Sequence, residues 1–230
     1  MPESAPSIHG VTLFAGLDAR AAEALSKQCK WRRCGEGQEV LGAKDSTTDI
    51  YFVVTGSLRA NVFTKRGHQV NFRDVPAGAF FGELAAIDGA PRSASILATT
   101  DSLIASLSGA AFRKVLREQP AVAEALFLHL ARQVRYLSER VTEFTALDVK
   151  GRIQAELLRL ARDHMTGANA AEVKPMPKHG EIASWVSTHR EAVTRELNFL
   201  DRAGVIERHP GRLVVRDVAK LAALVAKTRD

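Results

Sequence analysis

With 230 residues the chain has room for one large domain or two ordinary ones. Hydrophobic residues make up 46% and charged residues 25%, alongside 16 Gly and 8 Pro, which excludes a disordered, collagen-like or low-complexity polymer. Net charge is +6, and its placement says more than its size: residues 150–230 hold 15 Lys and Arg against 10 Asp and Glu, whereas residues 1–149 hold 17 against 16. A basic C-terminal third on a near-neutral body points to a polyanion partner, although scatter alone can produce five charges. No apolar run approaches the roughly 20 residues a membrane span needs, and the start Met1-Pro2-Glu3 lacks the pattern of a signal peptide. Two cysteines, Cys29 and Cys34, are too few for a disulfide scaffold. The expectation is a cytoplasmic protein with no membrane partner.

In chain order, residues 1–8 read as a frayed tail, and Asp18 is a plausible N-cap for a short helix over 17–29. Short β-branched or aromatic runs follow at Glu39-Val-Leu41, Ile50 to Val54 and Ser57 to Phe63, punctuated by Gly42, Gly56, Gly67 and Gly78, and the pattern resumes over 96–107. Such spacing predicts an all-β barrel or sandwich over about 31–108. From Ala121 the period changes. Phe127, Leu130, Val134, Leu137, Val141 and Phe144 recur at alternating spacings of three and four, an a/d seam with Arg132, Arg135, Glu139, Arg140 and Glu143 on the other faces. A seam this narrow favours a partner helix over the chain's own core. Asp148 can cap a helix over 149–164 and mark a hinge before it. A Gly/Ala/Pro-rich loop runs from Thr166 to Pro177. Two helical segments, 181–186 and 190–200, flank Ser187-Thr188-His189, and a hairpin over 205–216 turns at His209-Pro210-Gly211. That order is a helix-turn-helix followed by a wing.

Two segments carry chemistry. The first is Phe81-Gly-Glu-Leu-Ala-Ala-Ile-Asp-Gly-Ala-Pro-Arg-Ser-Ala-Ser95. Gly82 permits close backbone approach, the amides of a following helical turn favour an anion, Arg92 and Ser93 suit phosphate oxygens, and Glu83 can accept from a sugar hydroxyl. A Glu83–Arg92 salt bridge stiffening a loop is the structural alternative. The second segment is Glu181 to Leu197. There Ile182, Trp185, Val186, Val193 and Leu197 would pack two helices together, leaving Arg190, Glu191, Thr194 and Arg195 outward. Arg reads guanine O6 and N7, and Glu accepts from the cytosine amino group. The same spacing also fits a solvated face with a Thr188–Glu191 capping box and a Glu191–Arg195 pair.

The first segment resembles the phosphate-binding cassette of cyclic-nucleotide-binding domains, and from Leu13 to the wing the chain is similar to the CRP/FNR family of bacterial transcription regulators. The resemblance implies an α+β fold: a jelly-roll-like β-roll over 9–120, a dimerisation helix over 121–147 and a winged helix-turn-helix over 148–230. It implies that Glu83 binds the ribose 2′-hydroxyl and that Arg92 and Ser93 bind the cyclic phosphate, assisted by backbone near Gly82, Leu84 and Ala85. In the cAMP-responsive branch a Thr-Ser pair on the long helix contacts the base. Here the pair is Leu137-Ser138, so base reading is altered; cAMP is the first choice of effector and cGMP the second. Arg190, Glu191 and Arg195 match the residues that read a TGTGA-type half-site. Lys178, His179, Thr188 and His189 are expected at phosphates of double-stranded DNA, and RNA polymerase is an expected partner of the homodimer. Ser187 stands where the family often has Gly.

A cupin-like metal enzyme is the rival class. It needs clustered His and carboxylate ligands, and the seven histidines show no close pairing. No metal and no catalytic activity are expected. A regulator that is ligand-independent or senses another signal keeps the DNA reading and changes only the input. Two cysteines cannot ligate an iron–sulfur cluster, though Cys29 and Cys34 could form a redox pair.

Overall fold

Asp18 caps α1 (Ala19–Ser26) by accepting from the Ala21 amide at 2.7 Å, which satisfies one of the N–H groups a helix start leaves over. This helix lies in the first of two compact units, residues 1–133 and 134–230, of the computed structural model. The structure describes residues 6–43, 45–63 and 69–228, with backbone alone at 62, 63 and 69–73. Eight strands follow in the first unit: β1 (Lys30–Cys34), β2 (Glu39–Leu41), β3 (Ile50–Thr55), β4 (Ser57–Phe63), β5 (Gln69–Pro76), β6 (Phe80–Phe81), β7 (Ser95–Ala98) and β8 (Ser102–Leu107). They form two antiparallel four-stranded sheets, in the orders β1-β8-β3-β6 and β2-β7-β4-β5.

Strand alternation places the core. Ile50 and Phe52 share one face of β3 and pack with Leu25, Phe112, Val122 and Leu126 of the helices. Val53 lies on the other face, with Leu58, Val75 and Ile96 of the second sheet. Both faces of the first sheet are therefore covered, which is why Ile50-Tyr-Phe-Val-Val54 is continuously apolar. Three of the strands have no counterpart in the sequence expectations. Among them β1 is a mostly exposed edge strand, so its residues show no apolar alternation.

The tail reading fails at its end. Ile8 is fully buried in the helix-side core, and its amide donates to Ser26 Oγ at 3.2 Å; an apolar side chain that finds a pocket overrides the tendency of a terminus to fray. Residues 1–5 and Gly67 lie outside the described ones.

After β6 come α2 (Glu83–Asp88), α3 (Gly109–Glu118) and the 27-residue α4 (Pro120–Ala146). The boundary between the two units falls inside α4, at Gln133 and Val134.

In the second unit Asp148 caps α5 (Val149–Asp163) by accepting from the Gly151 amide at 2.7 Å. Then come β9 (Ala171–Val173), α6 (His179–Trp185), α7 (Arg190–Arg202), β10 (Ile206–His209), β11 (Arg212–Val215) and α8 (Val218–Lys227). The expected loop over 166–177 thus contains a strand. Leu213 pairs with Val173 and Val215 with Ala171, giving an antiparallel sheet ordered β10-β11-β9. Three residues are too few to show a period of two, and the partner supplies the pairing. Nor did the sequence reading anticipate α8, which buries Leu221 and Val225 in the same core as Ile153, Ile182, Val193 and Leu213. Among the described residues no helix is long and apolar enough to cross a membrane.

Candidate ligand pocket and nucleic-acid interface

Strand β6 is followed by Gly82, the N-cap of α2, whose φ of +80° is in the left-handed region that favours glycine. A Cβ there would stand 2.7 Å from Arg92 Nη1 and 3.1 Å from Asp49 O. The residue must be small because the guanidinium passes over it. Arg92 is only 6% exposed. Its Nη1 donates to Gly82 O at 3.1 Å, and its Nη2 donates to Thr47 Oγ1 at 3.1 Å and Asp49 O at 2.8 Å. The guanidinium lies 5.6 Å from the centre of the Tyr51 ring, and Tyr51 stacks on Phe81 at 5.0 Å. Burial holds the group below its ordinary pKa, opposed by Tyr51, Asp49, Asp45 and Glu83. No carboxylate among the described residues lies within ion-pair distance of it, and its buried Nε has no hydrogen-bond partner. A buried cation bonded only to neutral acceptors among the described residues, with one donor over, can take an anion.

Gly82, Glu83, Arg92 and Ser93 line one cavity of about 90 Å³, walled by Leu41, Ala60, Val75, Phe81 and Ile96. Of the other residues singled out in the sequence, Ala85 is buried and Leu84 is half exposed on α2. Leu137 and Ser138 line a shallow concavity on α4 with Val134 and Val141, and Ser138 Oγ donates to Val134 O at 2.9 Å. The sequence reading missed Thr47, Asp49 and Tyr51, which support Arg92. The alternation in β3 puts Tyr51 and Val53 on one face, but only the fold decides that this face meets the cassette.

The seam of α4 is uneven. Phe127, Val134 and Val141 are 63–67% exposed, and Leu137 is half exposed. Leu130 packs partly against the helix-side core of the first unit. Phe144 carries two guanidinium groups, Arg140 at 5.0 Å and Arg152 at 5.4 Å from its ring centre.

In the second unit Ile182, Val186, Val193 and Leu197 are fully buried, and Trp185 packs partly against them. Arg190, Glu191 and Arg195 are exposed, as a reading face requires. No Glu191–Arg195 ion pair forms among the described residues. The capping box does not form either: Thr188 N donates to Ala183 O at 2.9 Å, so Thr188 still belongs to the end of α6. The N-cap of α7 is His189, with no side-chain cap. Ser187 takes a φ of +50°, which accounts for the frequent Gly at that point of the turn.

Thr194 is less free than its spacing implied. Its hydroxyl donates to Arg190 O at 3.1 Å and is 2.9 Å from His179 Nδ1. With the hydroxyl proton so engaged, His179 Nδ1 is the donor in that bond. Burial, then Arg190 and Arg208, hold His179 below its ordinary pKa. Lys178 is exposed, and its amide donates to Glu181 Oε2 at 2.9 Å where α6 begins.

The cysteines are buried in separate cores, Cys29 with the helices and Cys34 between the sheets. Burial pushes the Cys29 thiol up to about 11, so little thiolate forms near neutrality. Among the described residues no three His, Cys, Asp or Glu side chains are grouped to hold a metal.

The cyclic nucleotide-binding domain family matches residues 31–119, and the Crp-like helix-turn-helix domain family matches residues 151–224. The cAMP-activated global transcriptional regulator CRP of Haemophilus influenzae is 31% identical over 179 residues, 76% of this chain and 79% of that one. Among solved structures, the catabolite activator protein of Thermus thermophilus gives a TM-score of 0.56 at 26% identity, covering 94% of this chain and 99% of that one. The c-di-GMP-responsive global regulator of Xanthomonas campestris gives 0.70 at 20% identity over 86% and 99%, a likeness of fold alone. With both halves matched in order, the chain belongs to the CRP/FNR family of transcription regulators: it is a DNA-binding regulator with a ligand-binding domain, and not an enzyme.

Proposed function

We propose that this regulator is a homodimer controlled by a cyclic nucleotide, cAMP in the first place and cGMP in the second. The observation that carries the reading is Arg92, buried beside Gly82 with no carboxylate of the described residues in ion-pair distance and with Nε unpartnered among them. A cyclic phosphate would supply the missing anion. Arg92 and Ser93 would hold it together with amides near Leu84 and Ala85, while Glu83 would accept from the ribose 2′-hydroxyl. The cAMP-activated relatives support the choice of nucleotide. Leu137 favours a second reading, in which the input is another signal or none, because its exposed side chain cannot hydrogen-bond a base.

The modules of this reading are the β-roll over 9–120, the dimerisation helix over 121–147 and the DNA-reading domain over 148–230, with a hinge at Asp148. Dimerisation runs through Phe127, Leu130, Val134, Leu137, Val141 and Phe144. Arg190, Glu191, Arg195 and Thr194 would read a palindromic TGTGA-like site, with Lys178, His179, Thr188 and His189 at phosphates. RNA polymerase would be met by the dimer on DNA, in the cytoplasm. Calorimetric titration of the purified protein with cAMP and with cGMP tests the pocket. Saturable binding, tighter for cAMP, is the expected result, and no heat with either nucleotide would leave the second reading.

A further inference from the structure

The last residue of α6 and its cap leave two backbone carbonyls without a backbone partner. Ile182 O accepts from the Val186 amide at 3.1 Å, Ala183 O from Thr188 at 2.9 Å and Ser184 O from Ser187 at 3.4 Å. The last carbonyls of a helix have no partner within it and need one elsewhere; Trp185 O and Val186 O remain. Both are taken by arginines from outside the helix-turn-helix. Arg140 Nη2 donates to Trp185 O, and Arg152 Nε donates to Val186 O at 3.1 Å.

Arg140 belongs to the last two turns of α4, and its side chain is largely buried. Its Nη1 donates to Glu143 Oε2 at 3.1 Å and Glu156 Oε2 at 2.8 Å. Arg159 on α5 completes the set, bonding Glu143 at 2.6 Å and also Glu156. Two cations and two carboxylates cancel, as burial requires. Apolar side chains of similar volume would often be as stable as such a set, so stability alone does not account for it. Its geometry is specific: one guanidinium joins the acidic pair to the carbonyl that precedes the turn.

We propose that Arg140 is a positioning residue for DNA reading. It ties the end of α4 to Trp185 O and thereby sets the angle at which α7 leaves α6, without touching DNA itself. This rests on α7 being the recognition helix. The strained Ser187 that follows makes the tie necessary, since a left-handed non-glycine residue persists only where its surroundings hold it. Lysine cannot replace the arrangement, because an ammonium is a point donor without the rigid fork that spans the two carboxylates and the carbonyl.

The test uses the full chain with Arg140→Lys, which keeps the buried set neutral, and Arg140→Gln as a second variant. Each is measured on the duplex that the unaltered protein retains in binding-site selection, on a scrambled duplex, and by amide hydrogen exchange. Arg140→Lys is expected to weaken binding to the selected duplex about tenfold, the size of one lost charge-assisted hydrogen bond. The scrambled duplex should be bound as before, and exchange should quicken at residues 186–189 while the β-roll is unchanged. Arg140→Gln should show the same pattern, more strongly. Unaltered discrimination and exchange in Arg140→Lys would overturn the proposal. So would equal losses on both duplexes with a lowered Tm, the mark of a merely structural role. If the unaltered protein fails to discriminate the two duplexes, the DNA reading itself fails, and the exchange arm still decides whether Arg140 holds the turn.

Discussion

Arg92 shows how far one side chain can specify a ligand. Its two carbonyl partners and one hydroxyl fix the plane of the guanidinium without neutralising it, and on the proposed reading the cyclic phosphate does so. Replacing it with Ala should remove a charge-assisted interaction worth about 2–3 kcal/mol, roughly 30- to 150-fold in cyclic-nucleotide affinity by calorimetry. The Tm of the ligand-free protein should change little, because the desolvation cost of the buried cation and its three hydrogen bonds are lost together. A folded Arg92→Ala protein with undiminished affinity would remove the pocket from this site.

At the scale of elements, the proposed DNA reading separates base reading on α7 from attachment around it. Glu191 is exposed on its first turn and Lys178 precedes α6; on the proposed reading the first meets base edges and the second backbone phosphates. Glu191→Ala should cost about 1–3 kcal/mol on the preferred site and relax selection at one base pair per half-site. Lys178→Ala should weaken all sequences alike and flatten the salt dependence of binding. Binding-site selection distinguishes the two: the same consensus at equal stringency from Glu191→Ala would mean that α7 does not read bases there. Thr194 should contribute less than its neighbours, since its hydroxyl is already bonded to Arg190 O and His179.

For the whole molecule, the exposed Phe127, Val134, Leu137 and Val141 are apolar surface that a second copy would cover. Val141→Glu would place two carboxylates against each other across that contact. It is expected to give monomers in sedimentation equilibrium while cyclic-nucleotide affinity per chain is retained. Binding to a palindrome with half-site centres about 34 Å apart should then collapse to half-site strength. In the unaltered protein, saturating nucleotide should raise DNA affinity by about 1–3 kcal/mol. A stable Val141→Glu dimer would place the contact elsewhere.

What could be read from the sequence depended on residues a few positions apart. The caps Asp18 and Asp148, the strands at Ile50 and Ser57, the two helices about Ser187 and the cassette from Gly82 to Ser93 are of this kind. Their backbone bonds and periodicities close within a turn or a strand, so tertiary context had little to change. Other features required the packed chain. Arg92 meets Thr47 and Asp49 across more than forty residues, and Arg140 meets Trp185 across 45. Ile8 leaves the tail because Ser26 and the helix-side core receive it. β9 exists because β11 pairs with it. Whether a charge is buried, and which of its bonds remain open, follows from desolvation and from the positions of distant carbonyls, which no local spacing encodes. The segments proposed to bind a phosphate and to read a groove were therefore legible in the chain as residue types, whereas the burial of Arg92 and the tie from α4 to the end of α6 were settled only by packing.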